Sequence, residues 1–360
     1  MFYGMIFMMV IVLYYMVKPI LNKNYRGSMI YQERLNMIYC VLITIVLVLI
    51  ASLRSYKMGN DPSMYKYMFE NVKSSLKDII LMKQTMNQTE KGYIILENII
   101  SRTFGGFQWL MMIIATVYIV PIGILVKRYS KNPWVSFFIF VGFGFFTDSL
   151  SALRQALAVG LTVVAFMCIK NKKLKSYFII VLMATSLHMS ALFFMPIYWL
   201  RKIKYTKQII IGSIIAIIAT NIFKSPLFQF VNRFSRQVYD VNVNTGGNKL
   251  YIFIIFTVIL CFIYGKAMIE ENNDNKMIIY MMIITAIIYP ILSFNPAVYR
   301  MFWYFFIYLI IFVPNLLSVV KDKAFKYLIF TGYMGMAICF LFGVCLRPAS
   351  IMSPFIFFWQ

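Results

Sequence analysis

A lone arginine in an otherwise apolar helix is the sequence feature that points most directly to chemistry. Between residues 149 and 169, polar or small side chains recur at helical spacing along one face: Ser151, Arg154, Gln155, Ala158 and Thr162. An arginine in an apolar membrane helix is costly, so Arg154 must face other helices or a water-filled cavity. Its planar guanidinium matches phosphate oxygens and therefore favours anion binding. The alternatives are a structural ion pair with Asp148 or extension of the side chain to the membrane surface.

The sequence contains a single histidine, His188, in the middle of the apolar run 176–199. A histidine in this position can transfer a proton near neutral pH or hydrogen-bond a sugar hydroxyl. The alternative is a neutral histidine that is bonded to a neighbouring helix. One histidine without a cluster of carboxylates cannot assemble a metal site, so we expect no metal and no other cofactor.

Two further arginines stand beside apolar runs. Arg54 follows one run and precedes a turn that contains Asp61, and Tyr65 lies on the helix predicted after that turn. Tyr299 and Arg300 lie in a short turn at the start of another run. We expect all of them on the outer side of the membrane. For each, a solvated loop or an anchor at the lipid headgroups is the alternative.

The elements that must position these residues are membrane helices. The chain is 61% hydrophobic and only 13% charged, whereas soluble domains carry about 45–50% apolar and about 25% charged residues. Runs apolar enough to form membrane-embedded helices occur at 2–17, 37–53, 107–126, 133–147, 149–169, 176–199, 208–222, 250–268, 277–294, 299–320 and 327–346. The sequence therefore predicts an all-α polytopic membrane protein, a bundle of about 10–12 membrane-embedded helices in one integral domain, 1–360.

The basic residues predict the topology. The net charge is +23, and Lys and Arg lie mostly between apolar runs, where they mark the cytoplasmic side. Alternation from the N-terminus places the loop 54–106 outside, and counting back from the C-terminus places a second loop, 223–249, outside. The two counts agree only if the run 176–199 is a re-entrant hairpin with a polar tip at 185–190. A plain spanning helix, with an error elsewhere in the count, is the alternative.

The order of short motifs along the chain resembles that of the EpsG family, which is related to the Wzy-type polysaccharide polymerases. The motifs are Arg54, Gly59-x-Asp61-x-x-x-Tyr65, Glu90-x-Gly92-Tyr93, Leu153-Arg154-Gln155-Ala156-Leu157-Ala158, His188-x-Ser190-Ala191 and Arg300. They extend over most of the chain. Pro62 departs from the small hydroxyl residue expected after the aspartate.

The resemblance implies a bacterial enzyme of the cytoplasmic (inner) membrane that makes exopolysaccharide, capsule or O-antigen. Such a glycosyltransferase-type polymerase joins oligosaccharide repeat units carried on undecaprenyl diphosphate at the outer face of the membrane. The bilayer and other polysaccharide synthesis and export proteins are further expected partners. The resemblance implies Arg154 and Arg300 at the diphosphate, Arg54 and Asp61 on the acceptor side, and His188 as a base or hydroxyl ligand. The other candidate substrate-binding residues are Tyr65, Asp148, Gln155 and Tyr299.

Other functions stay open at this point. A transporter or flippase of lipid-linked oligosaccharide would bind the same headgroup, although the inverted repeat typical of transporters is not visible. A non-catalytic component of an export complex and a membrane acyltransferase are further alternatives, and the arginines suit a diphosphate better than an acyl thioester. Nucleic acid is not an expected partner, because the basic residues lie on no water-soluble element.

Overall fold

The computed structural model describes residues 2–20, 29–59, 61–71, 89–233, 248–295, 298, 300–345 and 354–360. The α-helices are α1 (Phe2–Ile20), α2 (Met29–Leu53), α3 (Pro62–Asn71), α4 (Lys91–Phe104), α5 (Phe107–Tyr129), α6 (Pro133–Gly142), α7 (Phe145–Ser151), α8 (Leu153–Lys170), α9 (Leu174–Leu187), α10 (Lys207–Ile222), α11 (Lys224–Arg233), α12 (Asn248–Glu271), α13 (Asn275–Leu292), α14 (Trp303–Phe306), α15 (Leu309–Val319) and α16 (Lys323–Cys345). Two 3-10 helices cover Met189–Lys202 and Arg300–Phe302. Within the described ranges the β structure is one bridge between Arg54 and Phe357, so the all-α prediction is confirmed.

Length and hydropathy identify the helices that can cross a membrane. In the described part of the chain seven helices qualify individually. Two helix pairs qualify together although each is bent: α6 with α7 by 47°, and α10 with α11 by 81°. Helices α1 and α9 are apolar but shorter. These elements correspond one for one with the eleven apolar runs of the sequence, and the chain is a multi-pass membrane protein.

The bend between α6 and α7 shows how the chain departs from the predicted boundaries. Gly144 has a φ of +81°, a left-handed conformation that glycine adopts without a steric penalty. The chain turns there, so that residues 145–151 form α7 rather than the start of the next helix. The predicted helix 149–169 begins only at Leu153, because Ala152, with φ −89° and ψ 71°, separates α7 from α8.

The structure divides into two compact units, and the first consists of residues 1–195 and 327–360. Within it, α5 packs against both α2 and α8, and α9 packs against α8. Gly160 on α8 permits a close approach to α5, because an added Cβ would lie 2.2 Å from the carbonyl oxygen of Val117. A small cavity is lined by Arg54, by Ser149 of α7 and by Ala156 of α8, so the C-terminal end of α2 lies near the start of α8.

The second unit consists of residues 196–326. In this unit α13 packs against α10, α12 and α15. The Asn315 side-chain amide donates to Asn275 Oδ1 at 2.7 Å, and the Asn275 amide donates to the Met268 carbonyl at 2.7 Å. Both buried side-chain amides therefore have hydrogen-bond partners in apolar surroundings, where an unpaired polar group would be costly.

The apolar run 176–199 is divided into two segments. Helix α9 ends at Leu187, His188 is extended with φ −156° and ψ 113°, and the 3-10 helix Met189–Lys202 follows. A single continuous helix, which the plain spanning interpretation assumed, is therefore not what the chain forms. The break lies within the predicted polar tip, 185–190. That the second segment returns to the cytoplasmic side stays a prediction.

The two loops predicted to face outward contain helices of their own. The described part of 54–106 includes α3, as the sequence predicted around Tyr65, and α4, which packs against α3, α5 and α9. The described part of 223–249 includes α11. Residues 72–88 and 234–247 of these loops lie outside the described residues.

Candidate functional site

The centre of the candidate site is the carboxylate of Glu90, immediately before α4. Its Oε2 lies 2.5 Å from Arg154 Nη1 at the start of α8. Its Oε1 lies 3.2 Å from His188 Nδ1 and accepts a 2.9 Å hydrogen bond from the Met189 backbone N–H. One carboxylate thus joins the start of α8 to the break that follows α9.

Arg154 also connects this carboxylate to α3. Its Nε donates to the Tyr65 hydroxyl at 2.9 Å, and its guanidinium carbon lies 5.6 Å from the centre of the Tyr65 ring. The remaining terminal nitrogen, Nη2, makes no hydrogen bond to a described residue. The side chain is 21% exposed, so Nη2 can donate to a bound molecule.

Two glycines allow the elements of the site to meet. An added Cβ on Gly92 of α4 would lie 2.5 Å from Ser186 Oγ and 2.6 Å from the Ser186 carbonyl oxygen, just before the break at His188. Gly59 has a φ of +93°, and its added Cβ would lie 3.1 Å from Ser151 Cα. The first glycine therefore brings α4 against α9, and the second brings the turn before α3 against the end of α7. Both belong to motifs that the sequence singled out.

The surroundings of Glu90 fix its charge and the tautomer of His188. Burial opposes ionisation of this carboxyl, but the hydrogen bond and charge of His188, the Met189 N–H and the charge of Arg154 outweigh it and lower its pKa to about 2. An ionised carboxylate only accepts hydrogen bonds, so His188 Nδ1 must carry a proton. Nε2 makes no hydrogen bond to a described residue. Whenever the ring is uncharged, Nε2 is its hydrogen-bond acceptor.

A second glutamate, Glu97, lies two helical turns further along α4. It is 0% exposed, and neither of its carboxyl oxygens makes a hydrogen bond of ordinary geometry to a described residue, although Tyr93 interacts with it electrostatically. Its neighbour on the same face, Tyr93, is also 0% exposed, and the Tyr93 ring lies 5.5 Å from the Tyr65 ring in an edge-to-face arrangement. The polar residues of α4 therefore continue from Glu90 into the interior of the first unit.

Arg54 occupies a separate buried position at the end of α2. It is 2% exposed, and its Nη1 makes a long, 3.5 Å hydrogen bond to the Met58 carbonyl. Its Nε has no partner among the described residues. The same residue forms the backbone bridge to Phe357, which carries the C-terminal segment across this end of the unit.

The structure brings together some of the residues predicted from sequence and not others. Arg154, His188 and Tyr65 share Glu90 or a direct contact with each other. Asp61 lies at the start of α3, where its carbonyl accepts the Tyr65 backbone N–H at 3.1 Å. Gln155 is buried beside Arg154 in the chain.

Asp148 lies in α7, but the carboxylate paired with Arg154 is Glu90, contrary to the Asp148–Arg154 pair considered from the sequence. Arg300 begins the 3-10 helix of the second unit and is half-buried. Tyr299 lies outside the described residues.

Sequence reasoning did not assign Glu90 to the site. The residue was recognised within Glu90-x-Gly92-Tyr93 but received no role, because nothing in a single sequence shows that it meets Arg154, 64 positions further along. Glu97 received no role, because it lies in the short stretch from Ile94 to Ile100, which the sequence predicts to lie in the membrane interface. Among the described residues no three His, Cys, Asp or Glu side chains gather in a metal-ligating group.

A helical multi-pass membrane protein with a polar cluster at one end of its apolar helices is the class that this architecture defines. The sequence pattern of the EpsG family matches residues 37–356. Because the match covers nearly the whole chain, the protein belongs to the EpsG family. No curated protein matches the chain, and no solved structure matches it.

Proposed function

We propose that this protein is a polysaccharide polymerase of the bacterial cytoplasmic membrane, which joins oligosaccharide repeat units carried on undecaprenyl diphosphate at the outer face. Membership of the EpsG family suggests a role in polysaccharide synthesis. The observation that carries the proposal further is the cluster in which Glu90 bridges Arg154 and His188. It offers a cation for a diphosphate and an imidazole for a hydroxyl, which suits glycosyl transfer from a lipid diphosphate.

In this proposal His188 is the general base. Its Nε2 takes the proton of the acceptor hydroxyl as that oxygen attacks the anomeric carbon of the donor sugar. A glycosidic bond forms, the bond between that carbon and the diphosphate oxygen breaks, and the diphosphate leaves with the bonding electrons. Glu90 accepts from Nδ1–H and stabilises the imidazolium that results, as the carboxylate does in hydrolase triads.

Arg154 is the electrostatic partner of the leaving diphosphate. Its Nη2 donors are fixed before the substrate binds, because Tyr65 and Glu90 hold the other two nitrogens. Donors that are already oriented toward developing negative charge lower the barrier without reorganisation during the reaction. Arg300 is proposed as a second diphosphate ligand.

The remaining candidates are proposed for the sugars. Arg54 and Asp61 shape the acceptor side, and Tyr65 supports Arg154 while presenting its ring. Asp148 and Gln155, with Tyr299, complete the substrate-binding set in this proposal.

The proposal is tested by reconstituting the purified protein in liposomes with one defined undecaprenyl-diphosphate-linked repeat unit. The wild type should produce a ladder of products on a gel, and Met189→Leu, which changes only an exposed neighbouring side chain, should do the same. His188→Gln keeps a donor for Glu90 but cannot accept the hydroxyl proton. We expect its rate to fall by about 10²–10⁴-fold. No ladder from the wild type, or a full rate from His188→Gln, contradicts the proposal.

A further inference from the structure

One face of α4 carries a line of buried polar groups that leads away from Glu90. Glu90, Tyr93 and Glu97 follow one another at intervals of three and four residues, which places them on the same side of the helix. Their exposed fractions are 8%, 0% and 0%. Among the described residues the Tyr93 hydroxyl and both Glu97 oxygens make no hydrogen bond that satisfies ordinary geometry, although Tyr93 and Glu97 interact electrostatically. Burying polar groups without hydrogen bonds costs free energy, which indicates that this line of residues has a function.

No cation among the described residues forms an ion pair with Glu97. The positive charge of Arg154 on α8 lowers the pKa of Glu97, but its guanidinium is already bonded to Glu90 and Tyr65. Of the other titratable groups on elements packed against α4, His188 at the end of α9 is bonded to Glu90, and Tyr65 of α3 contacts Tyr93.

The neighbouring part of α5, 107–117, carries no titratable side chain. On α4 itself, Lys91 and Arg102 are exposed. The described surroundings thus contain two carboxyl groups and one partly buried cation, Arg154. A buried carboxyl without a cation takes up a proton.

We propose that Glu97 is a positioning residue for the anion-binding role of Arg154, held as a neutral acid in the resting protein so that Arg154 faces one carboxylate instead of two. This inference rests on the proposed function, because that function makes Arg154 a diphosphate ligand. Burial raises the pKa of Glu97 to about 8, against the opposing influences of Tyr93 and Arg154. Ionisation above that pH adds a negative charge to the cluster, and the added charge repels an anionic ligand.

The test measures binding of undecaprenyl diphosphate to the full-length protein in nanodiscs at about pH 6.5 and about pH 9.5. Glu97→Gln copies the protonated side chain and cannot ionise, and Glu70→Gln on the exposed face of α3 is the matched control. Between the two pH values the wild type and Glu70→Gln should lose about tenfold more affinity than Glu97→Gln. Titration of the diphosphate is common to all three proteins and cancels in this comparison.

Equal pH dependence in wild type and Glu97→Gln overturns the inference. So does a folded Glu97→Gln protein that has lost affinity at the lower pH, because that result means that the carboxylate is required. A second readout does not depend on any ligand or variant: the infrared carbonyl band of a protonated carboxyl should be present in the wild type at about pH 7 and absent above about pH 9.5. If the wild type binds no undecaprenyl diphosphate at either pH, the proposed function fails. In that case the infrared band alone decides whether Glu97 is a neutral acid.

Discussion

At the scale of single residues, the site depends on one carboxylate that accepts from three donors. Glu90 holds Arg154, His188 and the Met189 N–H. Removing Glu90 would leave the partly buried charge of Arg154 uncompensated, which destabilises the fold. Glu90 therefore orients both proposed functional side chains and also stabilises the junction of α4, α8 and α9.

This arrangement predicts an acid-sensitive stability. The pKa of Glu90 is lowered to about 2 in the folded protein, from about 4.3 in an unfolded chain. The stabilisation is complete above about pH 4.5 and is lost as the pH falls toward about 2, by at most about 1.4 kcal/mol per pH unit. Thermal unfolding in detergent should show this loss in the wild type and in Glu70→Gln. Glu90→Gln should be less stable at neutral pH, and an acid dependence identical to that of the wild type contradicts the assignment.

Among the secondary-structure elements, the membrane helices could be predicted from the sequence. Each apolar run corresponds to a helix, a bent pair or a broken segment, because a backbone in hydrocarbon must satisfy its own hydrogen bonds. The meeting of α4 with α8 and α9 could not be predicted in the same way. It depends on Gly92 lying against Ser186 and on Glu90 reaching Arg154, and neither hydropathy nor charge alternation reports such pairings. The arginine and histidine were found because polar residues in apolar runs are conspicuous, whereas their shared carboxylate lies in a polar loop.

The topology prediction for the run 176–199 depends on the break in the helix at His188. Because α9 ends at Leu187 and the 3-10 helix begins at Met189, the two segments can enter and leave from the cytoplasm. Reporter fusions after Lys175 and after Lys207 should then both report the cytoplasm. A fusion after Tyr129, at the end of α5, serves as the cytoplasmic reference. Opposite sides for the first two fusions contradict the hairpin and restore an ordinary crossing.

For the molecule as a whole, the proposed function requires that the site lies on the outer face of the membrane. Positive charge in the first loop and alternation of the spans predict this orientation. Tyr67 on α3 is 63% exposed and lies on the same helix as Tyr65, which contacts Arg154. In a variant whose own five cysteines have been replaced, Tyr67→Cys should react with a membrane-impermeant thiol reagent in intact cells. Reaction only after lysis contradicts the predicted orientation and means that the site faces the cytoplasm.

In the proposed function Arg154 acts on the diphosphate and does not merely pair with Glu90. Lysine can keep an ion pair with a carboxylate, but it is a point charge without the planar set of donors that a phosphate group uses. Arg128, an exposed arginine at the end of α5, provides the matched control.

The measurement is the gel ladder made by cells or liposomes that contain Arg154→Lys, beside the wild type and Arg128→Lys at equal expression. We predict that membrane insertion of Arg154→Lys is normal, that polymer disappears, and that single repeat units accumulate on undecaprenyl diphosphate, while Arg128→Lys makes the wild-type ladder. A normal ladder from well-expressed Arg154→Lys contradicts the account, and leaves Arg154 as a structural partner of Glu90.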